Sequence, residues 1–131
     1  MTNDQPQQFW QGVEQFNAGE FYACHDTLEA LWMEATEPEK TFYQGILQIA
    51  VALYHLSNSN WRGAAILLGE GSNRLRRYPS VYGGIDVDEL LEHSAALLRT
   101  LQHTEPEKLA TMKLGGEQAF PLPKIVLATE D

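Results

Sequence analysis

Apolar residues return every three or four positions along most of this chain, the spacing that lines one side of an α-helix. Phe9, Val13 and Phe16, with Trp10 alongside, make the first stripe, over 5–18. Asp4 can cap that helix, and Pro6 loses no needed hydrogen bond so near its start. Gly19 ends it, and a second stripe follows at once over 21–34: Phe21, Cys24, Leu28, Leu31 and Trp32. So short a link predicts a tight antiparallel hairpin. The third helix is expected over 38–57, with Thr36 as cap and Glu39 completing a reciprocal capping box. Phe42, Ile46, Ile49, Leu53 and Leu56 form one of its faces, and Gly45, Gln48, Ala52 and His55 another. Leu47 and Val51 add apolar surface elsewhere, and a helix apolar on so many sides belongs at the centre.

Asn58-Ser59-Asn60 breaks the pattern and offers caps for a fourth helix over 61–77. Its inward face is Trp61, Ala64, Ala65, Leu68, Ser72 and Leu75. Pro79 and Gly83-Gly84 make 78–85 a turn-rich connection. A fifth helix, 86–103, opens with Asp86 as cap and Glu89 three residues on, and continues through Val87, Leu90, Leu91, Ser94, Leu97, Leu98 and Leu101. After Pro106 the pattern weakens to a short turn through Leu109–Leu114 and an extended tail containing Pro121-Leu122-Pro123. Phe120, Leu122, Ile125, Val126 and Leu127 can clamp that tail across the bundle or a partner subunit. The expectation is one all-α domain over 1–131: a compact bundle of about five helices, a packed or partly flexible tail over 105–131, and no regular sheet.

Composition narrows the classes. A length of 131 residues suits one domain with a continuous core. Nine basic against eighteen acidic side chains give a net charge of −9, and residues 1–39 hold eight carboxylates with no Lys or Arg. Such a surface repels phosphate backbones, so nucleic acid is not an expected partner. Arg74, Arg76 and Arg77 read as dipole partners at a helix end. The single cysteine excludes an intramolecular disulfide framework, and Cys24, on an apolar face, reads as a small hydrophobe. With neither a signal peptide nor a run of about 20 apolar residues, the expected location is the cytoplasm.

The candidate chemistry sits at the margin of the second stripe. His25 and Glu29 lie one turn apart, their Cβ atoms about 5–6 Å from each other. That geometry suits a hydrogen-bonded pair or two ligands of one metal. On the next helix Gln48 and His55 face roughly the same way, two turns apart. The expected polar centre is therefore His25, Glu29, Gln48 and His55, flanked by Tyr22, Trp32 and Tyr54. His93 and His103 have no comparable neighbours and read as surface residues.

Phe16-Asn17, Gly19-Glu20-Phe21, His25-Asp26, Leu28-Glu29 and Leu31-Trp32, followed by Phe42, Gly45, Gln48, Ala50, Leu53, Tyr54-His55 and Gly63-Ala64, resemble the signature of the domain-of-unknown-function family 309. The resemblance covers 8–78. It implies a compact all-helical protein gathered around the histidine–glutamate motif. Asp26 stands where a glutamate is usual in that pattern, keeping the charge on a shorter side chain.

Different functions stay open on this reading. A buried His/Glu/Gln network would specify helix packing, because a stranded polar atom is costly; the domain would then be structural or an interaction module, with a homodimer or an unidentified protein as partner. The alternative is a small-molecule or transition-metal site. His25, Glu29 and His55 are the candidate ligands for a metal, which by activating water would make a metal-dependent hydrolase.

Overall fold

A computed structural model describes residues 5–112 and 122–128. Five helices carry the architecture: α1 (Gln7–Asn17), α2 (Phe21–Glu34), α3 (Glu39–Ser57), α4 (Trp61–Leu75) and α5 (Val87–His103), followed by a single turn, α6 (Pro106–Leu109). Each of the five packs on its sequence neighbour, α1 on α2 through α4 on α5, the arrangement that short links enforce. Ten of the nineteen residues of α3 are buried, more than one face, because α2 and α4 cover it from different sides. Phe9 and Phe16 of α1, Leu28 of α2, Phe42, Ile46, Ile49 and Leu53 of α3, Leu68 and Leu75 of α4, and Leu90 and Leu97 of α5 close one core.

Two glycines set how near α3 and α4 come. A Cβ at Gly71 would lie 2.7 Å from the Gly45 carbonyl oxygen, and one at Gly45 would lie 2.8 Å from Leu75 Cγ. No side chain fits between these backbones, so the crossing depends on both positions. The caps of α4 and α5 follow sequence logic: Asn60 Oδ1 accepts from Gly63 N at 3.0 Å, and Asp86 Oδ1 from Glu89 N at 2.9 Å.

The start of α3 departs from expectation. Pro38 occupies the cap position and Thr36 makes no capping bond. Glu37 reaches forward instead, accepting from Thr41 N and Thr41 Oγ1 at 3.0 and 2.7 Å, and these bonds hold its carboxyl below the usual range. Glu39 turns toward the protein rather than back along its own helix.

The expectation of no regular sheet is corrected. Val81–Tyr82 (β1) and Ile85–Asp86 (β2) form a minimal antiparallel hairpin. Its two-residue turn, Gly83-Gly84, has both residues at positive φ, 60° and 83°. That conformation matches the twist of a tight hairpin and suits glycine. Residues 122–128 then run beside β2. Asp86 N donates to Val126 O at 2.8 Å, Ala128 N to Gly84 O at 2.9 Å, and Ile85 pairs with Leu127.

The tail is fastened to α1 as well. Asn17 uses both ends of its amide on the backbone of Ile125, Nδ2 donating to the carbonyl and Oδ1 accepting from the N–H, each at 2.8 Å. Lys124 Nζ donates to Asn17 O at 2.8 Å, and Ile125 is buried. These residues therefore clamp the tail onto its own bundle. Phe120, expected in the same clamp, lies outside the described residues, as does Asp4. The final turn, at Pro106–Leu109, starts earlier than the Leu109–Leu114 reading. Among the described residues no helix is long and apolar enough to cross a membrane.

Candidate functional site

The exposed side of α2 and the C-terminal half of α3 meet around a cavity of about 180 Å³ lined by Tyr22, His25, Val51, Tyr54 and His55. Tyr22 and His25 are three apart on α2, and Val51, Tyr54 and His55 lie within one turn or so of α3, so each set shares a face. The rings run in a row. His25 and Tyr22 are 6.1 Å apart between centroids with planes inclined by 29°, Tyr22 and Tyr54 are 5.4 Å apart with a 46° tilt, and Tyr54 and His55 are 6.3 Å apart. The wall they make with Val51 is overwhelmingly carbon.

Local contacts hold both histidines. His25 Nδ1 lies 3.2 Å from Asp26 Oδ1, and because a carboxylate only accepts, that nitrogen carries the proton. His25 Nε2 is 3.9 Å from Glu29 Oε2, an ion-pair distance but not a hydrogen bond. Asn60 Nδ2 lies 3.4 Å from His55 Nδ1. Since Asn60 Oδ1 is taken by the α4 cap, its amide presents N–H to the ring and selects the tautomer with Nδ1 unprotonated.

This is not the buried four-residue network expected from sequence. His25 is 30% exposed at its side chain and Glu29 is 47% exposed. Water screens both, so their interaction contributes little to stability. Glu29 stands beside the cavity rather than among its lining residues. Gln48 is elsewhere: its amide donates to Glu70 Oε1 at 3.2 Å and its carbonyl accepts from Arg74 Nη1 at 3.1 Å, tying α3 to α4. Trp32 does not flank the centre either. Its ring lies under Lys40 Nζ, 4.5 Å from the centroid, and Lys40 also donates to Trp32 O at 2.8 Å. Of the three flanking aromatics, Tyr22 and Tyr54 line the cavity.

Cys24, although adjacent to His25, points the other way. It is fully buried, with Sγ 3.3 Å from Gly12 O of α1, and burial pushes its thiol up to about 12. A thiol so placed is a packing group and not a nucleophile at neutral pH. Nor, among the described residues, do three His, Cys, Asp or Glu side chains come together to hold a metal ion. His25 and His55 line the same cavity from the two ends of the ring row, His25 beside Tyr22 and His55 beside Tyr54.

A polar network does hold the fold, around Glu39 instead of Glu29. Tyr82 OH donates to Glu39 Oε1 at 3.0 Å, Gln5 Nε2 to Glu39 Oε2 at 3.2 Å, and Tyr43 OH to Gln5 Oε1 at 2.6 Å. Tyr78 OH donates to Pro38 O at 2.6 Å. Their rings enclose Phe42, with Tyr82 edge-on at 4.8 Å and Tyr78 at 5.4 Å. Burial, then the bond to Glu39 and its charge, raise the Tyr82 hydroxyl to about 12. The sequence signal for this cluster was faint: tyrosines at 78 and 82, one helical turn apart, in a stretch with no helical pattern.

Residues 9–67 match DUF309, a domain of unknown function. The resemblance read from the sequence is thereby confirmed over those residues. The DUF309 match takes in α1 from Phe9 onward, α2, α3 and the first part of α4, and with them all five residues lining the cavity. Glu70, Arg74, Tyr78, Tyr82 and the clamped tail fall beyond it. Two bacterial relatives extend the picture. An uncharacterized protein of Aquifex aeolicus (strain VF5) is 26% identical over 95 residues, 72% of this chain and 28% of its own length. The uncharacterized protein YpuF of Bacillus subtilis (strain 168) is 28% identical over 109 residues, 81% of this chain and 63% of its own. The chain thus spans under two thirds of either relative.

Proposed function

We propose that this protein is a small-ligand-binding domain whose site is the cavity between α2 and α3. One observation carries the reading: two helices bring Tyr22, His25, Tyr54 and His55 to a single cavity of about 180 Å³. An apolar cavity of roughly 150 Å³ accommodates benzene, so the space suits one ring or one branched head group. Apolar walls with a few placed polar atoms are the usual make-up of such sites. His25, oriented by Asp26, and His55, oriented by Asn60, supply the polar atoms; Glu29 contributes charge at the rim. The histidine pair is a binding feature in this reading, and neither a metal centre nor a hydrolytic step is invoked. We place the domain in the cytoplasm, where its single thiol stays reduced.

Screening a fragment set by protein NMR tests the proposal. Compounds that bind should shift the Tyr22, His25, Tyr54 and His55 resonances together, and Tyr22→Ala should abolish the shifts without unfolding the protein. Shifts scattered over other surfaces, or unaffected by Tyr22→Ala, would reject the site.

A second observation favours self-association at another surface. Val81, Val126 and Leu127 are exposed around the small sheet, where unpaired strand edges and apolar side chains invite a partner. A homodimer through this sheet accounts for them. Sedimentation velocity over a concentration series should show a dimer that Leu127→Asp converts to monomer; a monomer at every concentration rejects it.

A further inference from the structure

Resting on that binding site, we infer that the cavity's ligand is an organic ammonium ion with a trimethylammonium-sized head group. Four of the five lining residues are aromatic, and their rings form the continuous row His25, Tyr22, Tyr54, His55. The faces of the two tyrosines, Tyr22 and Tyr54, carry negative potential, and each attracts a cation within about 6 Å of its centroid. The surrounding charge has the matching sign. Asp26 and Glu29 each place a carboxylate oxygen within 4 Å of the His25 ring, at 3.2 and 3.9 Å. Residues 1–39, which include all of α2, contain no Lys or Arg. Lys40, the first basic residue after α2, is committed to the Trp32 ring, and the basic residue nearest in sequence to the lining is Arg62, seven positions beyond His55.

The same features argue against other ligands. A carbon wall offers few hydrogen bonds to a sugar, and the neighbouring carboxylates repel a phosphate or a carboxylic acid. A neutral hydrocarbon would fit the walls but would gain nothing from Asp26 and Glu29. A quaternary ammonium meets both conditions, because it is bulky and apolar at its surface while carrying a full charge and needing no acceptor. Tyr22 is 60% exposed and reaches the mouth of the cavity, so it can meet such a group without rearrangement of the core.

The experiment compares a cation with a neutral compound of similar size on the full chain. Tetramethylammonium chloride and tert-butanol are titrated separately while ring resonances of Tyr22, Tyr54, His25 and His55 are followed by NMR at low salt. The cation should bind roughly two- to thirtyfold more tightly than the alcohol, the span from an exposed to a desolvated cation–π contact. Tyr22→Ala should remove most of that preference, with unchanged circular dichroism showing that the fold is intact; Tyr54→Ala serves as a second probe. The double substitution Asp26→Asn, Glu29→Gln should weaken the cation and leave the alcohol unaffected. Equal affinity for the two compounds overturns the ammonium inference but leaves the cavity a binding site. Failure of both to shift these rings overturns the site as well. A short peptide carrying trimethyllysine, run as a third arm, identifies the source: tighter binding than tetramethylammonium assigns the head group to a protein side chain, and weaker binding to a free small molecule.

Discussion

Glu29 and Glu39 show how little a carboxylate's identity says until its surroundings are known. Glu29 is half in water and touches His25 only at ion-pair distance. Glu29→Ala should therefore change stability by no more than about 0.5 kcal/mol in urea denaturation. Glu39→Ala removes the acceptor of Tyr82 OH and the Glu39 bond to Gln5, and should cost about 1–3 kcal/mol by the same measurement. The pH dependence follows from Cys24 and Tyr82, each near 12 in the folded protein, with Tyr43 and Tyr78 pushed up in the same direction by burial. Unfolding releases them to lower values, so the unfolded chain gives up protons first as pH rises. Their contribution is complete below about pH 9, the unfolded thiol value. It is lost as pH climbs toward 12, and urea midpoints taken from pH 8 to 11 should fall over that interval. Thiol-labelling reagents should leave native Cys24 unmodified at pH 8 and react once urea unfolds the chain.

At the scale of elements, the helices were legible because each repeats one physical requirement many times. Phe9, Val13 and Phe16, or Leu90, Ser94, Leu97 and Leu101, each face the core, and the spacing declares the helix without knowledge of its neighbours. What they pack against is a different matter. Gln48 and His55 sit seven residues apart and face roughly one way, yet Gln48 bonds to α4 while His55 lines a cavity with α2. Seven residues advance about 10 Å along the axis and drift about 20° around it. On a helix covered from two sides, that is enough to change partners. The hairpin was illegible for the opposite reason: two residues per strand cannot display an alternation. The crossing of α3 and α4 gives the sharpest element-level expectation. Gly71→Ala puts a methyl against the Gly45 carbonyl and should destabilise by about 1–3 kcal/mol, whereas Gly69→Ala, with open space around it, should not. Thermal unfolding of the two variants side by side checks this.

For the molecule as a whole, half of the expected site came together and half dispersed. His25, Tyr22, Tyr54 and His55 share a cavity since α2 and α3 are neighbours joined by a short link, a relation sequence order already implies. The Glu39 cluster draws on Gln5, Tyr43, Tyr78 and Tyr82, and no local pattern connects positions that far apart. The tail is joined more distantly still. Asn17→Ala should release it, and amide hydrogen exchange at Asp86, Ile125 and Ala128 should then accelerate while α3 stays protected. The Asn17–Ile125 clasp also has a consequence in time. Its partners are 108 residues apart, and a ribosome adding about 5–20 residues per second needs roughly 5–20 s to supply the second after the first. Through that interval α1 and α2 rest on local contacts such as Phe16 against Phe21. The clasp therefore shuts only when synthesis has passed Ile125, after every helix described above has already been made.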